Sequence, residues 1–487
     1  MSDVKTYLGQ KGYSIYKDKL SVKEQQWIRD ELMVAPFIPK SLGYGVNQKF
    51  PIYRESKNKL YVPRYFGEET YGEPDETRLD EPQKVDMKFT GSLRDYQTDI
   101  VGKYMESTKN GGGLLEIPCG RGKTVMALKI AANLGLKTLV IVHKTFLADQ
   151  WIERIQQFIP NARIGRIQGQ TIDIDDKDIV IGMLQSLSMK EYPYTFFSDF
   201  GLTIVDEVHH IAAEVFVRSL FQIVTKYVLG LSATMQRKDG LTKVFKMFLG
   251  DIIYKEKAIE NENVNVRIYD YISNDEEFNE TKYDFRGNTA YSSMMTKLCN
   301  FNPRREFVVK IVKDLIEENP NQQIMILGHY KNLLTYLYKS IEHKNIASVG
   351  YYVGGMKKEA LKESEEKQII IATYSMASEA LDIKSLTTLV MATPKTDVTQ
   401  SIGRILRTKH SKPLVVDVTD QHDVFKRQCN KRIKYYNKQG YKIQRCSNKN
   451  YNDFTEVIGK KRKGKKKNSI ILENDNPLKG KCLINLT

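Results

Sequence analysis

The feature of this sequence that most restricts its fold is a set of short apolar runs, each followed by a stretch of helical character. The runs form two series along the chain: 111–118, 137–144, 178–184, 201–207 and 227–234 in the first, and 322–329, 348–355, 367–374, 387–394 and 412–419 in the second. Continuous apolar strands that alternate with helices are typical of a parallel sheet covered on both faces. The sequence therefore predicts an α/β protein with two tandem parallel-sheet domains.

The domain organisation follows from these two series and from the length of 487 residues, which exceeds what one hydrophobic core usually holds. Residues 1–90 are rich in aromatic residues and prolines and predict a small α+β domain with a helix within 19–33. The other predicted segments are a first sheet domain at 91–258, a linker or insertion at 259–302, a second sheet domain at 303–420, a basic helical extension at 421–458 and a basic, partly disordered tail at 459–487.

The positive charge of the chain is concentrated at one end. In residues 421–487, 18 Lys and Arg stand against 5 Asp and Glu, which gives +13 of the formal net charge of +16. Basic segments favour polyanions such as nucleic acid, mainly through phosphate contacts. A solvated tail that only improves solubility is the alternative interpretation.

The cysteines and the hydropathy pattern indicate the compartment. Five scattered cysteines without a C-x-x-C pair predict neither a disulfide framework nor a zinc site, and they indicate a reducing environment. No run approaches the roughly 18 consecutive apolar residues of a membrane helix, and the polar N-terminus does not resemble a signal peptide. We therefore expect a soluble, intracellular protein without a membrane partner.

The first apolar run leads directly into a sequence with the character of a phosphate-binding loop. Its residues are Pro118, Cys119, Gly120, Arg121, Gly122, Lys123 and Thr124, and a helical stretch follows. Glycines let backbone N–H groups turn towards phosphate oxygens, and the helix N-terminus adds positive potential. Lys123 is expected to reach the β- and γ-phosphates of a nucleotide, and the Thr124 hydroxyl to bind Mg²⁺. Ile117 stands where the strict G-x-x-x-x-G-K-T spacing has its first glycine.

Two further runs of the first series end in residues suited to nucleotide chemistry. Asp206 is expected to hold Mg²⁺, usually through water, and Glu207 to polarise the attacking water. Both carboxylates, together with Thr124, form the predicted metal site. Ser232 and Thr234 end the next run. The strand ends of an open α/β sheet meet where such folds bind ligands, so these motifs are expected to converge.

The order of these motifs resembles that of superfamily 2 nucleic-acid helicases, and the second series supplies a matching motif. Residues 400–407 (QSIGRILR) resemble the Q-x-x-G-R-x-x-R motif of that family. The resemblance spans about residues 90–420 and implies two RecA-like domains, ATP and Mg²⁺ as cofactors, and DNA, RNA or both as partners. It assigns Arg404 and Arg407 to the γ-phosphate across the interdomain cleft, where they would act as arginine fingers.

The same resemblance implies further binding residues by their position in motifs. Nucleotide contacts outside the phosphate loop are assigned to Arg94, Gln97, Glu379, Asp382, Gln400 and Gly403. Nucleic-acid contacts are assigned to Lys144, Thr145, Gln185, Ser186, His329, Thr373 and Arg237. The coupling of ATP hydrolysis to nucleic-acid binding is assigned to Ser232 and Thr234. Small polar residues that follow strands also simply cap helices, which is the alternative interpretation for several of these positions.

Three details are similar to the XPB/UvsW type within the superfamily. They are the sequences PCG at 118–120, DEVHH at 206–210 and RKDG at 237–240. Lys238 departs from the Arg-Glu-Asp of XPB-type proteins, so a role in wedging a duplex does not follow. The runs at 231–250, 372–383 and 400–407 are most similar to helicases of large cytoplasmic DNA viruses and phages, a circle that includes the poxvirus transcript-release helicase.

The resemblance implies an ATP-dependent helicase or translocase that acts on DNA, as a duplex or an RNA–DNA hybrid, in viral transcription, replication or repair. RNA polymerase or other transcription machinery is a candidate partner. A viral protein of this kind is expected in a cytoplasmic virus factory or the virion, and the basic tail also allows the nucleus. Two alternatives stay open: an ATP-driven duplex translocase that never separates strands, and a non-catalytic nucleic-acid-binding subunit of the transcription machinery.

Overall fold

The computed structural model describes residues 5–36, 49–118, 120–208, 213–235, 240–256, 264–379, 383, 385–405 and 413–457. The chain divides into two compact units, which comprise the described residues up to Glu256 and those from Val264 onwards. The first unit holds an N-terminal α+β part and one large sheet, and the second unit holds another large sheet. Among the described helices, none has both the length and the apolar character needed to cross a membrane.

The N-terminal part combines a small sheet with two helices. Its elements are β1 (Thr6–Gly9), β2 (Gly12–Tyr16), α1 (Val22–Glu31), β3 (Met33–Val34), β4 (Phe50–Pro51), β5 (Arg54–Glu55), β6 (Lys59–Val62), α2 (Arg64–Tyr71) and β7 (Glu76–Thr77). Five strands pair in the order β5-β6-β2-β1-β7. The Ser21 hydroxyl accepts from the Glu24 N–H, and the Glu24 carboxylate accepts from the Ser21 N–H. This capping box explains why α1 begins at Val22, inside the predicted range 19–33.

The first large sheet is built from the first series of apolar runs. Its elements are α3 (Asp95–Ser107), β8 (Gly112–Glu116), α4 (Lys123–Leu134), β9 (Thr138–Val142), α5 (Thr145–Phe158), β10 (Ile164–Gln168), β11 (Thr171–Asp173), β12 (Ile179–Met183), α6 (Leu184–Met189), β13 (Leu202–Val205), α7 (Ala213–Leu220), β14 (Tyr227–Ser232), α8 (Thr242–Leu249) and β15 (Ile252–Lys255). The strands pair in the order β11-β10-β12-β9-β13-β14-β8-β15, in parallel except for β10 with β11. Strands β9 and β12 are buried at every position, as expected for a sheet covered on both faces.

The second large sheet is built from the second series. Its elements are β16 (Asn265–Tyr271), α9 (Glu276–Asn279), α10 (Tyr291–Asn300), α11 (Asn302–Glu318), β17 (Gln323–Gly328), α12 (Lys331–His343), β18 (Val349–Tyr352), α13 (Lys358–Glu365), β19 (Ile369–Thr373), α14 (Tyr374–Glu379), β20 (Leu386–Met391), α15 (Thr399–Ile405), β21 (Leu414–Asp420), α16 (Asp423–Lys438), β22 (Lys442–Ser447) and β23 (Thr455–Glu456). The order is β18-β19-β17-β20-β21-β16-β22-β23, with all neighbours parallel except β22 and β23. The prediction of two tandem parallel sheets is confirmed.

The ranges that the sequence predicted as a linker and as a basic extension both contribute strands to the second sheet. Strand β16 lies between β21 and β22. This strand contains charged residues and therefore does not form an apolar run in the sequence. In the structure these residues have partners: Arg267 bonds the Glu318 carboxylate, and Asp270 accepts from Arg445 at 2.6 Å. A polar side chain loses most of its burial cost when it has such a partner, so a central strand need not be apolar throughout.

Candidate functional site

The phosphate loop predicted from the sequence lies between β8 and α4. Gly120 and Gly122 have φ angles of 79° and 80°, in the left-handed region that favours glycine. At Gly122 a Cβ would also lie 2.4 Å from Nε2 of Gln97, so a side chain there would displace the Gln97 amide. The loop therefore turns tightly and presents bare backbone ahead of a helix N-terminus, which is the geometry that suits a phosphate group.

Two side chains at the start of α3 donate hydrogen bonds to the backbone of this loop. The Gln97 amide donates to the Arg121 carbonyl at 3.0 Å, and the Tyr96 hydroxyl donates to the same carbonyl at 3.1 Å. The Gln97 amide oxygen accepts from the Arg94 N–H at 3.0 Å. Gln97 is thus buried and engaged with the loop backbone, while Arg94 is exposed beside it. Their predicted contact with the nucleotide stays a prediction.

The side chain of Arg121, within the loop, is held in place by two contacts. Its guanidinium carbon lies 3.8 Å from the centroid of the Tyr96 ring, and its Nη2 lies 2.6 Å from Oε1 of Glu256. A guanidinium that stacks on an aromatic face and pairs with a carboxylate has little freedom left. Tyr96 and Glu256 are contacts that sequence reasoning missed, because one lies in another helix and the other at the far end of the unit.

Lys123, the first residue of α4, faces a carboxylate that follows β13. Its Nζ lies 3.1 Å from Oε1 of Glu207. Glu207 has a φ angle of 48°, a left-handed conformation that costs a non-glycine residue about 1–2 kcal/mol. Backbone strain of this kind persists only where the surroundings hold it, and it concentrates at functional sites.

The Asp206 carboxylate is buried and held by two uncharged donors. The Glu207 backbone N–H donates to Oδ1 at 2.9 Å, and the indole N–H of Trp151 donates to Oδ2 at 2.8 Å. Burial raises the pKa of Asp206 to about 6, the neighbouring Glu207 carboxylate adds to the rise, and Lys123 opposes it. A carboxyl group in this state gains stability when a cation binds beside it.

Trp151 is a further residue near this site that the sequence analysis missed. It lies on α5 and is 1% exposed. A buried indole N–H generally finds an acceptor, which is the only signal that the sequence offers. That rule does not identify Asp206, which is 55 residues away along the chain.

The oxygens of this site fit a Mg²⁺ ion bound together with nucleotide phosphates. Mg²⁺ takes one or two carboxylates and fills its other positions with phosphate oxygens and water. Asp206, Glu207 and the Thr124 hydroxyl are the oxygen groups that would hold it. Within the described part of the chain, no group of three or more His, Cys, Asp or Glu side chains forms a metal site by itself.

The residues predicted to couple the two activities form a small turn after β14. The Ser232 hydroxyl donates to the Thr234 carbonyl at 2.6 Å and accepts from the Thr234 N–H at 3.2 Å. The Ser232 carbonyl accepts from the N–H of Ile117 at 2.8 Å. This turn is therefore attached through the backbone to the strand that enters the phosphate loop.

A second group of predicted residues lies on the other half of the same sheet edge, where β9, β12 and β10 end. The Gln168 amide donates to the Thr145 hydroxyl at 3.4 Å, and the Gly169 N–H donates to the Ser186 hydroxyl at 2.8 Å. The Lys190 ammonium donates to the Gly169 carbonyl at 2.5 Å. The β10–β11 turn thus brings Thr145 and Ser186 towards each other and adds a lysine that the sequence had not singled out. We call the group formed by Thr145, Gln168, Gly169, Ser186 and Lys190 the polar edge.

Two other predicted nucleic-acid residues of the first unit, Lys144 and Gln185, flank the polar edge. Lys144 is the N-cap residue of α5 and is half-buried. Gln185 lies at the start of α6 and is exposed. Both are therefore adjacent in the chain to polar-edge residues.

In the second unit, His329 lies where β17 ends, between the ends of β19 and β20. Its Nδ1 lies 2.7 Å from the Thr393 hydroxyl, and its ring centroid lies 4.7 Å from that of Tyr374. Desolvation of the ring by its neighbours lowers the pKa of His329 to about 4 and the Lys395 charge adds to this effect, although the residue as a whole is exposed. The hydroxyl of Thr373, also predicted as a contact, lies 3.2 Å from that of Ser375.

Several predicted residues lie beyond what the structure describes. Cys119, Arg237, Asp382 and Arg407 are outside the described residues, and the side chains of Glu379, Gln400 and Arg404 are not described. Gly403 lies within α15. The assignment of these residues remains a prediction, as do the roles of Pro118 and Gly120.

Comparison with known proteins gives a separate family match for each of the two large-sheet domains. Residues 90–237 match the family described as "Type III restriction enzyme, res subunit", and residues 308–410 match "Helicase conserved C-terminal domain". The chain is 36% identical over 457 residues to "Putative ATP-dependent RNA helicase L396" of Acanthamoeba polyphaga mimivirus, with 91% of this chain and 87% of that protein covered.

Two other similarities are more distant. "Putative helicase 161L" of Invertebrate iridescent virus 6 is 28% identical over 378 residues, which cover 73% of this chain and 83% of that protein. The crystal structure of T4 UvsW aligns at 18% identity with a TM-score of 0.35, over 92% of this chain and 100% of that chain.

The chain therefore belongs to the viral-type superfamily 2 helicases. Its two parallel sheets are the RecA-like domains of that family, so the predicted family and fold class are confirmed. As a member of this family, the protein is an ATP-dependent helicase that binds nucleic acid.

Proposed function

We propose that this protein uses ATP, bound with Mg²⁺, to move along a nucleic acid and separate its strands, with DNA as a duplex or an RNA–DNA hybrid as the substrate. The observation that carries the proposal is the shared edge of the first sheet. One half holds Lys123 beside Glu207, and the other half is the polar edge. ATP chemistry and contacts to a nucleic-acid backbone would then take place on one rigid element.

The ion pair between Lys123 and Glu207 suggests what happens when ATP binds. The β- and γ-phosphates carry more negative charge than one carboxylate and compete with it for the Lys123 ammonium. Glu207 then accepts a proton from the attacking water, as a general base. Asp206 and Thr124 would hold Mg²⁺, which would neutralise charge on the phosphates.

Arg404 and Arg407 complete the proposal from the family motif. We assign them to the negative charge that develops on the transferred phosphoryl group. Cycles of ATP binding and hydrolysis would change how tightly each unit holds the backbone, and movement would follow. Because backbone contacts carry no sequence information, we expect little sequence preference.

The choice of DNA rests on the similarity to the XPB/UvsW type, whereas the mimivirus relative is named an RNA helicase. The deciding experiment measures the ATPase rate of the full chain with single-stranded DNA, duplex DNA, RNA and hybrid. Stimulation by DNA-containing polymers is expected. Stimulation by RNA alone would overturn the DNA assignment, and no stimulation by any polymer would overturn the proposed function. A strand-displacement assay beside a triplex-displacement assay separates a helicase from a translocase that leaves strands paired.

The catalytic control is the pair of substitutions Lys123→Ala and Lys129→Ala on the same helix. Lys129 packs its Nζ 5.4 Å from the centroid of the Phe89 ring, away from the carboxylates. Lys123→Ala is expected to lose nearly all turnover, because the charge on the β- and γ-phosphates disappears. Lys129→Ala is expected to keep it. A non-catalytic binding subunit predicts no turnover in the parent chain either.

For the pathway, we propose transcript release with RNA polymerase as the partner, which rests on the resemblance to the poxvirus helicase circle. The test immobilises a stalled elongation complex and adds the protein with ATP. Release of the transcript is expected with the parent chain and is not expected with Lys123→Ala. A transcript that stays bound in both reactions would contradict this pathway without affecting the helicase assignment.

A further inference from the structure

Trp151 joins the two halves of the first sheet edge. Helix α5 begins with Thr145 of the polar edge, and its seventh residue is Trp151, about 9 Å further along the helix axis. The indole N–H then bonds Asp206 at 2.8 Å on the ATP side. This is possible because β9, which precedes α5, is the direct neighbour of β13, which precedes Asp206, with Ile141 paired to Val205.

The indole is the donor to Asp206 that comes from a separate element. The Oδ1 atom accepts from the Glu207 backbone, which belongs to the same turn and moves with it. The Oδ2 atom accepts from Trp151, so the orientation of the Asp206 carboxylate depends on the position of α5. A small displacement of α5 therefore lengthens or bends this hydrogen bond, and its strength falls steeply with poor geometry.

Helix α5 can transmit a displacement because it is rigid and its inner face is packed. Leu147, Ala148, Trp151 and Ile155 are buried along that face. At its outer end, Thr145 accepts from Gln168, and Asp149 lies 3.7 Å from Arg166. These contacts connect the first turns of α5 to β10 and its turn at the polar edge. A backbone that binds at the polar edge therefore acts on the same helix that orients Asp206.

We propose that Trp151 is a positioning residue that couples nucleic-acid binding at the polar edge to the orientation of Asp206, and so sets how strongly nucleic acid stimulates ATP hydrolysis. The proposal rests on the proposed function, since it needs both a bound nucleic acid and an ATPase. The simpler explanation is a buried tryptophan whose N–H has found the nearest acceptor. The two explanations differ in what happens when only the N–H is removed.

The first test compares Trp151→Phe with Trp27→Phe, which is the same change at the other tryptophan of the chain. Trp27 stacks on Phe66 in the N-terminal part, away from this site. Phenylalanine keeps an aromatic ring and removes the N–H donor. The ratio of stimulated to basal ATPase rate is expected to fall about tenfold in Trp151→Phe, the size expected for one lost hydrogen bond to a charged group. It is expected to stay unchanged in Trp27→Phe.

A purely structural role gives a different pattern. It predicts that Trp151→Phe lowers basal and stimulated rates by the same factor, so that the ratio stays constant, and this result would overturn the proposal. If the parent chain shows no stimulation by any of the four polymers, the proposed function itself fails and the coupling fails with it. Circular dichroism and urea unfolding of each variant show whether the fold is retained.

The second test needs neither ATP nor metal. In the Trp27→Phe chain Trp151 is the remaining tryptophan, so its emission reports on the indole directly. Adding an oligonucleotide is expected to change this emission over the same concentration range in which anisotropy of a labelled oligonucleotide shows binding. Adding Thr145→Ala and Ser186→Ala to this chain should weaken both signals together. Clear binding by anisotropy with unchanged Trp151 emission would overturn the proposal.

Discussion

Buried aspartates in the two large-sheet domains are held in opposite ways. In the first unit, Asp206 receives hydrogen bonds from an indole and a backbone N–H, and its pKa is raised to about 6 by burial. In the second unit, the guanidinium of Arg432 bonds both oxygens of Asp417 at 2.7 and 2.8 Å, and that of Arg304 bonds both oxygens of Asp420 at 2.6 and 2.9 Å.

The difference separates a binding carboxylate from a structural one. A carboxylate that is to hold a divalent cation together with ATP must not be committed to a guanidinium, and its burial then disfavours the charged form. The two arginines of the second unit have another task. Arg304 also donates to the Ala392 carbonyl at 2.9 Å, and Arg432 donates to the Lys395 carbonyl at 2.7 Å. They therefore fix the segment that leads towards α15.

The largest effect that this comparison predicts is the loss of turnover in Glu207→Gln. Glutamine keeps the shape of the side chain but cannot accept a proton, so we expect kcat to fall by about 10²–10⁴-fold. ATP binding, measured with a fluorescent analogue, should persist. Unfolding by urea should change little, because the variant also removes a negative charge beside Asp206.

The control for this prediction is Glu153→Gln, at an exposed position on α5. It is expected to retain the turnover of the parent chain. Parent-like turnover in Glu207→Gln would show that Glu207 is not the general base and that the two carboxylates have been assigned wrongly.

The next effect concerns the fold of the second unit. Arg432→Ala leaves Asp417 buried without its counter-charge, and we expect a destabilisation of about 3–5 kcal/mol. Both tryptophans lie in the first unit, so fluorescence does not report this change. Hydrogen exchange of peptides from β21 and α16 measures it instead.

Arg427→Ala on the same helix is the matched control, because Arg427 is exposed. It is expected to lie within about 0.5 kcal/mol of the parent chain. If both substitutions have the same small effect, Asp417 does not depend on Arg432, and the contrast with Asp206 disappears.

The sequence predicted those parts of the molecule whose cause is local. Continuous apolar runs gave both sheets, and glycines before Lys123 gave the loop, because strand burial and left-handed turns depend on neighbouring residues. The contacts of Asp206 and Asp420 depend instead on strand order. Arg304 and Asp420 are 116 residues apart, and their meeting follows from how β20 and β21 lie side by side. No local pattern in the sequence contains that information.

The comparison also predicts opposite pH dependences for the two units. The pKa of Asp206 is raised by burial, so its contribution to stability is complete below the unfolded value near 3.8 and is lost as the pH rises through about 6. The pKa of His329 is lowered from 6.5 to about 4, so its contribution is present above 6.5 and is lost as the pH falls towards 4.

For Asp206 we expect about 2 kcal/mol across the window from pH 4 to 6. The effect of His329 should be smaller, below about 1 kcal/mol, because part of the residue is exposed and solvent screens Lys395. Tryptophan fluorescence during urea unfolding measures the first unit, and hydrogen exchange of β17 peptides measures the second. The slopes should flatten in Asp206→Asn and His329→Gln, respectively. A parent-like slope in either variant would contradict the assignment for that unit.

The smallest effect is expected when the buried pair of the second unit is removed as a whole. The double variant Asp417→Leu with Arg432→Met deletes both charges and fills most of the space, so no buried charge is left alone. The Tyr436 hydroxyl, 3.2 Å from Asp417, and the Lys395 carbonyl lose their partners, and we expect a net change of about 1 kcal/mol. Hydrogen exchange in β21 should therefore resemble the parent chain far more than Arg432→Ala does. If the double variant is as unstable as Arg432→Ala, then packing and the hydrogen bond to the Lys395 carbonyl stabilise the unit, and the charge of Asp417 is not the reason that β21 needs an arginine beside it.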